Sequence, residues 1–351
     1  MGIMNFINRH ERVKVIWESI KQNSDERFRK RVLETDCLGV SVKERTDCNR
    51  EETKPGILYK IEMGTWGDGF FAEYKRLLNY LYYADFWGFK PYIHFGKEFT
   101  YAEEHPVNGT MNPFEYFFEP VVSAEDMDRY QYYVESREVD WELANRLKPV
   151  NGYEMSEEYI CALAKISQKY IKWNQTTREY LEAANQLLGN YKTLAVHVRL
   201  TDFKQNFWGH PVCVSAEEYL ECAKDAVKKY GFEKVFLATD DRETVEVFQN
   251  EFKNNLLYYG DVVRSTGNVS VAFSKEEREN HHYKLALEVI RDMYTLSKCQ
   301  GLVAGKSNVS ICAIIENRGE TPYEYIRIID KGHNSGNAAK FANTDVVREK
   351  K

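Results

Sequence analysis

Arg199, Thr201 and Asp202 stand directly behind a short apolar run, Leu194–Val198, in the segment YKTLAVHVRLTDF. The run reads as a buried strand with a single histidine, His197, set in it. In an α/β chain the carboxyl end of such a strand is where open sheets bind ligands. An arginine there suits a diphosphate, because its planar fork donates two hydrogen bonds to phosphate oxygens. An Arg199–Asp202 ion pair at the strand end accounts for the same residues equally well. Two more strand ends carry polar clusters. Asp240-Asp241 follows KVFLAT and could grip ribose hydroxyls, orient a partner or, through Asp241, cap the next helix. Gly305-Lys306-Ser307-Asn308 opens a helix, whose free N–H groups make an anion site. The string GLVAGKS is one residue short of G-x-x-x-x-G-K-[ST], too short to wrap phosphates as that loop must, so a P-loop NTPase is rejected. Convergence of the three strand ends points to a ligand bearing a diphosphate.

The elements that must place these residues alternate. Ile57–Met63 reads as a strand, followed by a glycine turn holding Gly64, Gly67, Asp68 and Gly69. A helix follows over Phe70–Trp87, with apolar residues at 70, 71, 74, 77, 78, 81 and 82 and Gly88 as its stop. Lys90–Phe95 is a further strand, completing a βαβ unit. Residues 100–122 read as an ordered aromatic loop near a cleft, and 156–188 as two amphipathic helices. Beyond 191 the strands at 194–198, 234–239, 256–259, 301–304 and 323–329 alternate with helices at 215–230, 243–252, 283–298 and from 308, which means a parallel sheet. Ser215 and Glu218 have capping-box spacing. The polar loop 261–282 is long enough to be functional or mobile. Residues 9–34 read as one or two helices, 41–55 as a linker and 331–351 as a polar, frayed tail.

With 351 residues the chain is too long for one small core, and two domains are expected, 1–190 and 191–330. A composition of 43% hydrophobic and 29% charged residues is that of an ordinary globular protein, and a net charge of −6 argues against a general nucleic-acid binder. Seven scattered cysteines without a CxxC read as reduced thiols, not a disulfide framework or zinc site. No signal peptide or membrane span is read, so a cytoplasmic protein with at most peripheral membrane association is expected. Asp126-Met127-Asp128 matches a D-x-D metal pattern, but both carboxylates are expected in the first turns of a surface helix capped by Ser123.

HVRLTDF, then FLATDD, then DMYTLSKCQGLVAGKSNVSICAIIE resemble, in order and spacing, the motif set of the fucosyltransferases that share short peptide motifs, nearest to their α1,6 group. The resemblance covers 191–330 and extends more loosely to 57–95. It implies a GT-B-like α/β fold of two Rossmann-like domains facing a cleft, with an acceptor side at 1–190 and a GDP-sugar side at 191–330. It also implies inverting, metal-independent transfer of fucose from GDP-fucose to a glycan hydroxyl, as in surface polysaccharide or lipopolysaccharide synthesis. No cofactor is implied beyond the GDP-sugar donor. By position, Arg199 would hold the β-phosphate, His197 and Asp292 would contact guanine, Asp202, Asp240 and Asp241 would lie near the nucleotide, and Ser307 and Asn308 would bind phosphate. Without the resemblance, His197 reads as a satisfied core histidine and Asp292 as a surface helix charge. Protein O-fucosyltransferases carry a glutamate in a similar glycine loop, which makes Asp68 the first candidate base and Glu115 the second.

The chain departs from the α1,6 pattern in places. Leu200 and Phe203 occupy positions of an arginine and a lysine, and Gln205 and Asn206 stand where an acidic residue is expected. Lys204 or Lys306 could replace the lost charge. These departures admit another GDP-sugar, or a nucleotide-sugar-binding protein without turnover.

Overall fold

The structure is a computed structural model that describes residues 13, 42–46, 53–64, 68–136, 155–206, 209–265, 267, 271–273, 278–320, 322–334 and 346–349. Two sheets organise it. The first takes β1 (Lys43–Glu44), β2 (Lys54–Met63), β3 (Lys90–Phe95) and β4 (Tyr130–Glu135) in the order β1-β4-β2-β3. β2 pairs in parallel with both β3 and β4, and β1 runs antiparallel on the edge. Helix α1 (Phe70–Trp87) makes the crossover from β2 to β3 and ends on Gly88 in the left-handed region, φ +73°. The short α2 (Ala124–Met127) is capped by Ser123, as its sequence predicts.

The second sheet has the order β10-β9-β8-β5-β6-β7, from β5 (Thr193–Val198), β6 (Lys234–Thr239), β7 (Leu256–Leu257), β8 (Gly301–Gly305), β9 (Tyr325–Ile329) and β10 (Val346–Glu349). The chain steps outward from β5 to β7, then returns past β5 to β8. The gap between the carboxyl ends of β5 and β8 is therefore the topological switch point, where an open α/β sheet leaves a crevice. Strand alternation splits the interior into two cores. Leu194, Val196 and Val198 of β5 pack with α5 (Ala216–Tyr230) and α6 (Arg242–Phe252). Ala195 faces the other core, with α7 (His281–Lys298) and α8 (Asn308–Gly319). This second core is continuous with the first sheet. Helix α3 (Glu157–Tyr170) packs on both α1 and α8, and α4 (Gln175–Leu188) packs on α7. The α/β class and the two helices expected over 156–188 are therefore present. The Ser215–Glu218 capping box forms with both of its hydrogen bonds.

Two expectations need correction. The polar stretch 41–55, read as a linker, supplies the edge strand β1 and the start of β2. An edge strand needs no apolar alternation; here Lys43 pairs with Glu135, and Arg45 reaches Asp128 at 2.6 Å. The tail 331–351, read as frayed, contributes β10, paired antiparallel to β9 from Val346↔Ile328 to Glu349↔Tyr325. Its first residues also bind the 209–212 loop, with Asn334 N–H donating to the His210 carbonyl at 2.8 Å. The aromatic loop 100–122 is ordered and reaches the cleft through Tyr101, while Phe114, Phe117 and Phe118 turn into the core. The helices expected within 9–34 lie, residue 13 aside, outside the described residues.

Candidate functional site

A cleft of about 860 Å³ opens where the carboxyl ends of the two sheets meet. One wall comes from the turn after β2 and the first turns of α1, the other from the ends of β5, β6 and β8 and the side of α7. Of the turn 64–69, residues 65–67 lie outside the described residues. Gly64 has φ +87°, and a Cβ there would stand 2.7 Å from Phe99 Cβ, so the tight exit from β2 requires glycine. Asp68 lines the cleft, half exposed, and accepts from Arg76 at 2.7 Å. Tyr101 lines the same wall, and its hydroxyl accepts the Phe70 N–H at 3.2 Å, satisfying one orphan donor at the start of α1.

Arg199 occupies the end of β5 and faces the cleft. Its guanidinium reaches Asp240 at 2.8 Å and Asp202 at 2.7 Å. Burial disfavours the charge, but Asp240 and Asp202 outweigh burial and raise its pKa above the ordinary arginine value. The ion pair considered from the sequence is thus present, and Asp240 adds a second hold. Asp240 also accepts the Leu200 N–H at 3.1 Å and the Thr201 hydroxyl, so a single carboxylate fixes the whole turn after β5. Asp241 has a different task. It caps α6, accepting the Thr244 N–H at 2.9 Å and the Thr244 hydroxyl at 2.8 Å, and it receives Lys204 at 3.2 Å. It is buried and does not line the cleft.

Ser307 caps α8 by accepting the Ser310 N–H at 3.1 Å, and Asn308 opens the helix; both line the cleft. His197 sits behind them, its Nδ1 2.9 Å from Ser310 Oγ and 3.3 Å from Ser307 Oγ. Burial lowers its pKa to about 4, so the ring is neutral near pH 7. The satisfied histidine and a position on the cleft are both realised. Asp292, on α7, is buried rather than a surface charge. Burial pushes its carboxyl up to about 7 against the pull of Arg264 and Arg291, and Oδ1 has no hydrogen-bond partner among the described residues. The same cleft is lined by Val262, Val263, Val271, Ala272 and Val289, with the carboxylate of Glu288 beside them. Three of the long loop's valines thus form a wall of the site.

Glu115, the second candidate base, is absent from the cleft lining. It accepts from Asn112 Nδ2 at 3.0 Å and Thr110 Oγ1 at 3.2 Å, closing its own loop. Asp126 and Asp128 turn to different cations, Asp126 to Lys54 and Arg129, Asp128 to Arg45. Lys204 and Lys306, considered as replacements for lost charge, reach Asp241 and Asp330, the latter at 2.7 Å. Leu200 is buried in the α5 core, whereas Phe203, also buried, lines the cleft and meets His210 edge to face. Gly305 explains the phosphate-loop look-alike: a Cβ there would lie 2.1 Å from the Tyr219 hydroxyl. The sequence reading missed Lys75 and Arg76, which line the cleft from α1. A signal existed for Lys75: it is four residues after Phe71 and three before Leu78, on the apolar face of its helix.

No known family model matches the sequence, and no curated protein matches it. Solved structures to which the chain is similar include NodZ α-1,6-fucosyltransferase co-crystallized with GDP, at 15% identity and a TM-score of 0.49, covering 85% of this chain and 99% of that one. NodZ has also been solved from Bradyrhizobium, at 15% identity and a TM-score of 0.47, covering 85% and 99%. POFUT1 in complex with GDP-fucose aligns at 13% identity and a TM-score of 0.44, covering 79% of this chain and 99% of that one.

Proposed function

We propose that this chain is an inverting glycosyltransferase that moves fucose from GDP-fucose to a hydroxyl of a glycan acceptor. The observation that carries the proposal is the buried carboxyl group of Asp292, whose Oδ1 has no hydrogen-bond partner among the described residues, in the same cleft as Arg199 and the start of α8. Guanine presents two adjacent donors, N1–H and the N2 amino group, and a single carboxylate can accept from both. Adenine offers an acceptor at the equivalent edge, and uracil flanks its one donor with two carbonyls, so a carboxylate disfavours either. The valines that line the same cleft suit the faces of a base. Arg199 and the N–H groups at the start of α8 suit a diphosphate. Fucose as the sugar rests on the order of the sequence motifs.

In this reading residues 191–330 hold the donor, and 1–190 supply the acceptor wall. The acceptor hydroxyl attacks the anomeric carbon in line, opposite the departing GDP. Arg199 and the α8 N-terminus meet the charge growing on the diphosphate, the part a metal plays elsewhere. Asp240 and Asp202 are positioning residues that hold Arg199. Asp68, on the cleft wall, is the candidate to accept the hydroxyl proton. Synthesis of a surface polysaccharide or lipopolysaccharide on the cytoplasmic side, with at most peripheral membrane association, is the role this reading supports; no helix among the described residues is long and apolar enough to cross a membrane. The buried Leu200 and Phe203, where the α1,6 pattern carries charge, favour as the second reading a different GDP-linked sugar.

The test is calorimetric titration with GDP, GDP-fucose, GDP-mannose and UDP-sugars in EDTA, beside Arg199→Ala. Guanine-specific binding that the substitution abolishes is the expected result. Binding of UDP-sugars in preference, or no GDP binding, overturns the donor assignment. GDP-sugar binding with no turnover on any glycan acceptor would leave a binding protein in place of an enzyme.

A further inference from the structure

Among the described residues, three lysine or arginine side chains line the cleft: Arg199, Arg76 and Lys75. Arg199 is gripped by Asp240 and Asp202, and Arg76 by Asp68 and Glu73. Lys75 differs in setting. It lies in the second turn of α1, only 7% exposed, on a face otherwise given to packing. There α1 crosses α8: the Phe71 carbonyl, one turn earlier, accepts the Cys312 S–H at 3.8 Å. Cys312, one turn into α8 from Asn308, is also within electrostatic reach of the Lys75 amine. The ammonium therefore stands beside the opening turn of α8, on the wall opposite Arg199.

A lysine is a costly choice for a helix crossing. Methionine would fill similar space without burying a charge. The partial positive charge at a helix N-terminus adds to the cost. Burial holds the amine at a pKa of about 8, well below an ordinary lysine. An anion at the start of α8 would reverse both penalties.

We propose that Lys75 is a specificity-determining contact for the donor's phosphates, closing from α1 on the anion that Arg199 and the start of α8 hold from the other side. The inference rests on the GDP-sugar reading above and deepens it. It supplies from the opposite wall the positive charge that Leu200 and Phe203 lack. Near pH 8.5 the free amine is largely neutral, so binding draws most of a proton from the buffer onto Nζ. The phosphate keeps its charge, and no bond to the ligand forms.

The experiment is calorimetry of the full chain with GDP, guanosine and inorganic pyrophosphate, at pH 6.5 and 8.5, in buffers of different ionisation enthalpy. Wild type, Lys75→Met and Lys75→Arg are compared, with thermal melts to confirm folding. Wild type should take up about 0.7 proton per GDP more than Lys75→Met at pH 8.5 and bind with the same proton balance as Lys75→Met at pH 6.5, where Asp292 releases its proton equally in both, from the titration of a group near pH 8. Lys75→Met should weaken GDP at least tenfold and leave guanosine unchanged. Lys75→Arg should restore most of the affinity without proton uptake, since arginine is already charged. GDP binding with equal affinity in all three proteins and no Lys75-dependent proton uptake would overturn the proposal while the donor reading stands. Pyrophosphate binding with Lys75-dependent uptake, but no GDP binding, would sustain Lys75 and overturn the donor reading.

Discussion

Replacing Asp292 by asparagine should make the empty protein more stable and unable to hold guanine. Burial raises the Asp292 carboxyl from 3.8 to about 7. A folded pKa above the unfolded value means stability is fully present below pH 3.8 and is lost as pH rises through about 7. At roughly 1.4 kcal/mol per pKa unit, the loss is about 1.5 kcal/mol at pH 5 and about 4 kcal/mol at pH 8.5. Asparagine is close in shape and does not ionise, so the variant escapes this loss. Urea denaturation of wild type and Asp292→Asn at both pH values should give a stability difference that grows by about 2 to 3 kcal/mol in favour of the variant from pH 5 to 8.5. Comparing the two proteins cancels the titration of every other group. A difference independent of pH, or one that moves against the variant, would refute the claim that Asp292 is a charge buried at a cost. GDP titration then reports function. The asparagine presents an NH₂ donor where guanine needs an acceptor, and binding should fall by a hundredfold or more, about 3 kcal/mol. Undiminished GDP affinity in a folded variant would remove Asp292 from the site.

His197 has the opposite sign. Its pKa is depressed to about 4, so its contribution is fully present above 6.5 and is lost as pH falls from 6.5 through 4. His197→Gln should therefore retain about 3 kcal/mol more of its neutral-pH stability at pH 4 than wild type does, and parallel acid-denaturation curves would show the ring to be accessible to protons. Asp240→Asn removes the charge that holds Arg199 and should cost about 3 kcal/mol in urea together with most GDP affinity; a loss below 1 kcal/mol would mean that Asp202 alone fixes the arginine. Gly305→Ala should cost about 2 kcal/mol because its methyl meets the Tyr219 hydroxyl, and adding Tyr219→Phe should recover much of that, since the next ring atom is 3.3 Å away; a double variant no better than the single one would show the strain to lie elsewhere. Glu115→Gln should leave the rate of sugar transfer within about twofold of wild type, whereas a loss of a hundredfold would return Glu115 to the list of bases.

Strand alternation and helix stops were legible wherever one side of an element faces a core. The apolar run after Lys192 became β5, Gly88 ended α1, and Ser215 with Glu218 formed the capping box. β1 and β10 were not legible, because edge strands are held by pairing rather than by apolar periodicity. That the three strand ends would open on one cleft was readable, since a parallel sheet gathers its carboxyl ends. Which member of a cluster faces the cleft was not. Asp240 and Asp241 are adjacent and chemically identical, yet one fixes the Arg199 turn and the other caps α6, a choice set by strand twist and the start of the next helix. Lys75 stayed hidden because a charged residue among apolar ones is ordinarily taken for the solvent face. Its spacing from Phe71 and Leu78 says otherwise, but only once both sides of α1 are known to be covered.

Gly301 and Gly305 each lie under an aromatic side chain. A Cβ at Gly301 would strike the Phe232 ring at 2.4 Å, and one at Gly305 the Tyr219 hydroxyl. The small residues in GLVAGKS are therefore clearance for rings on the far side of the sheet, and its lysine is the partner of Asp330. Selection for ring clearance and an ion pair can write a near-copy of a nucleotide-triphosphate signature without any triphosphate having acted on the chain. Redesign of this strand should accordingly treat Phe232 and Tyr219 as co-authors of its glycines: shrinking those rings frees the two positions to vary, and the look-alike would dissolve while the cleft kept its ligand.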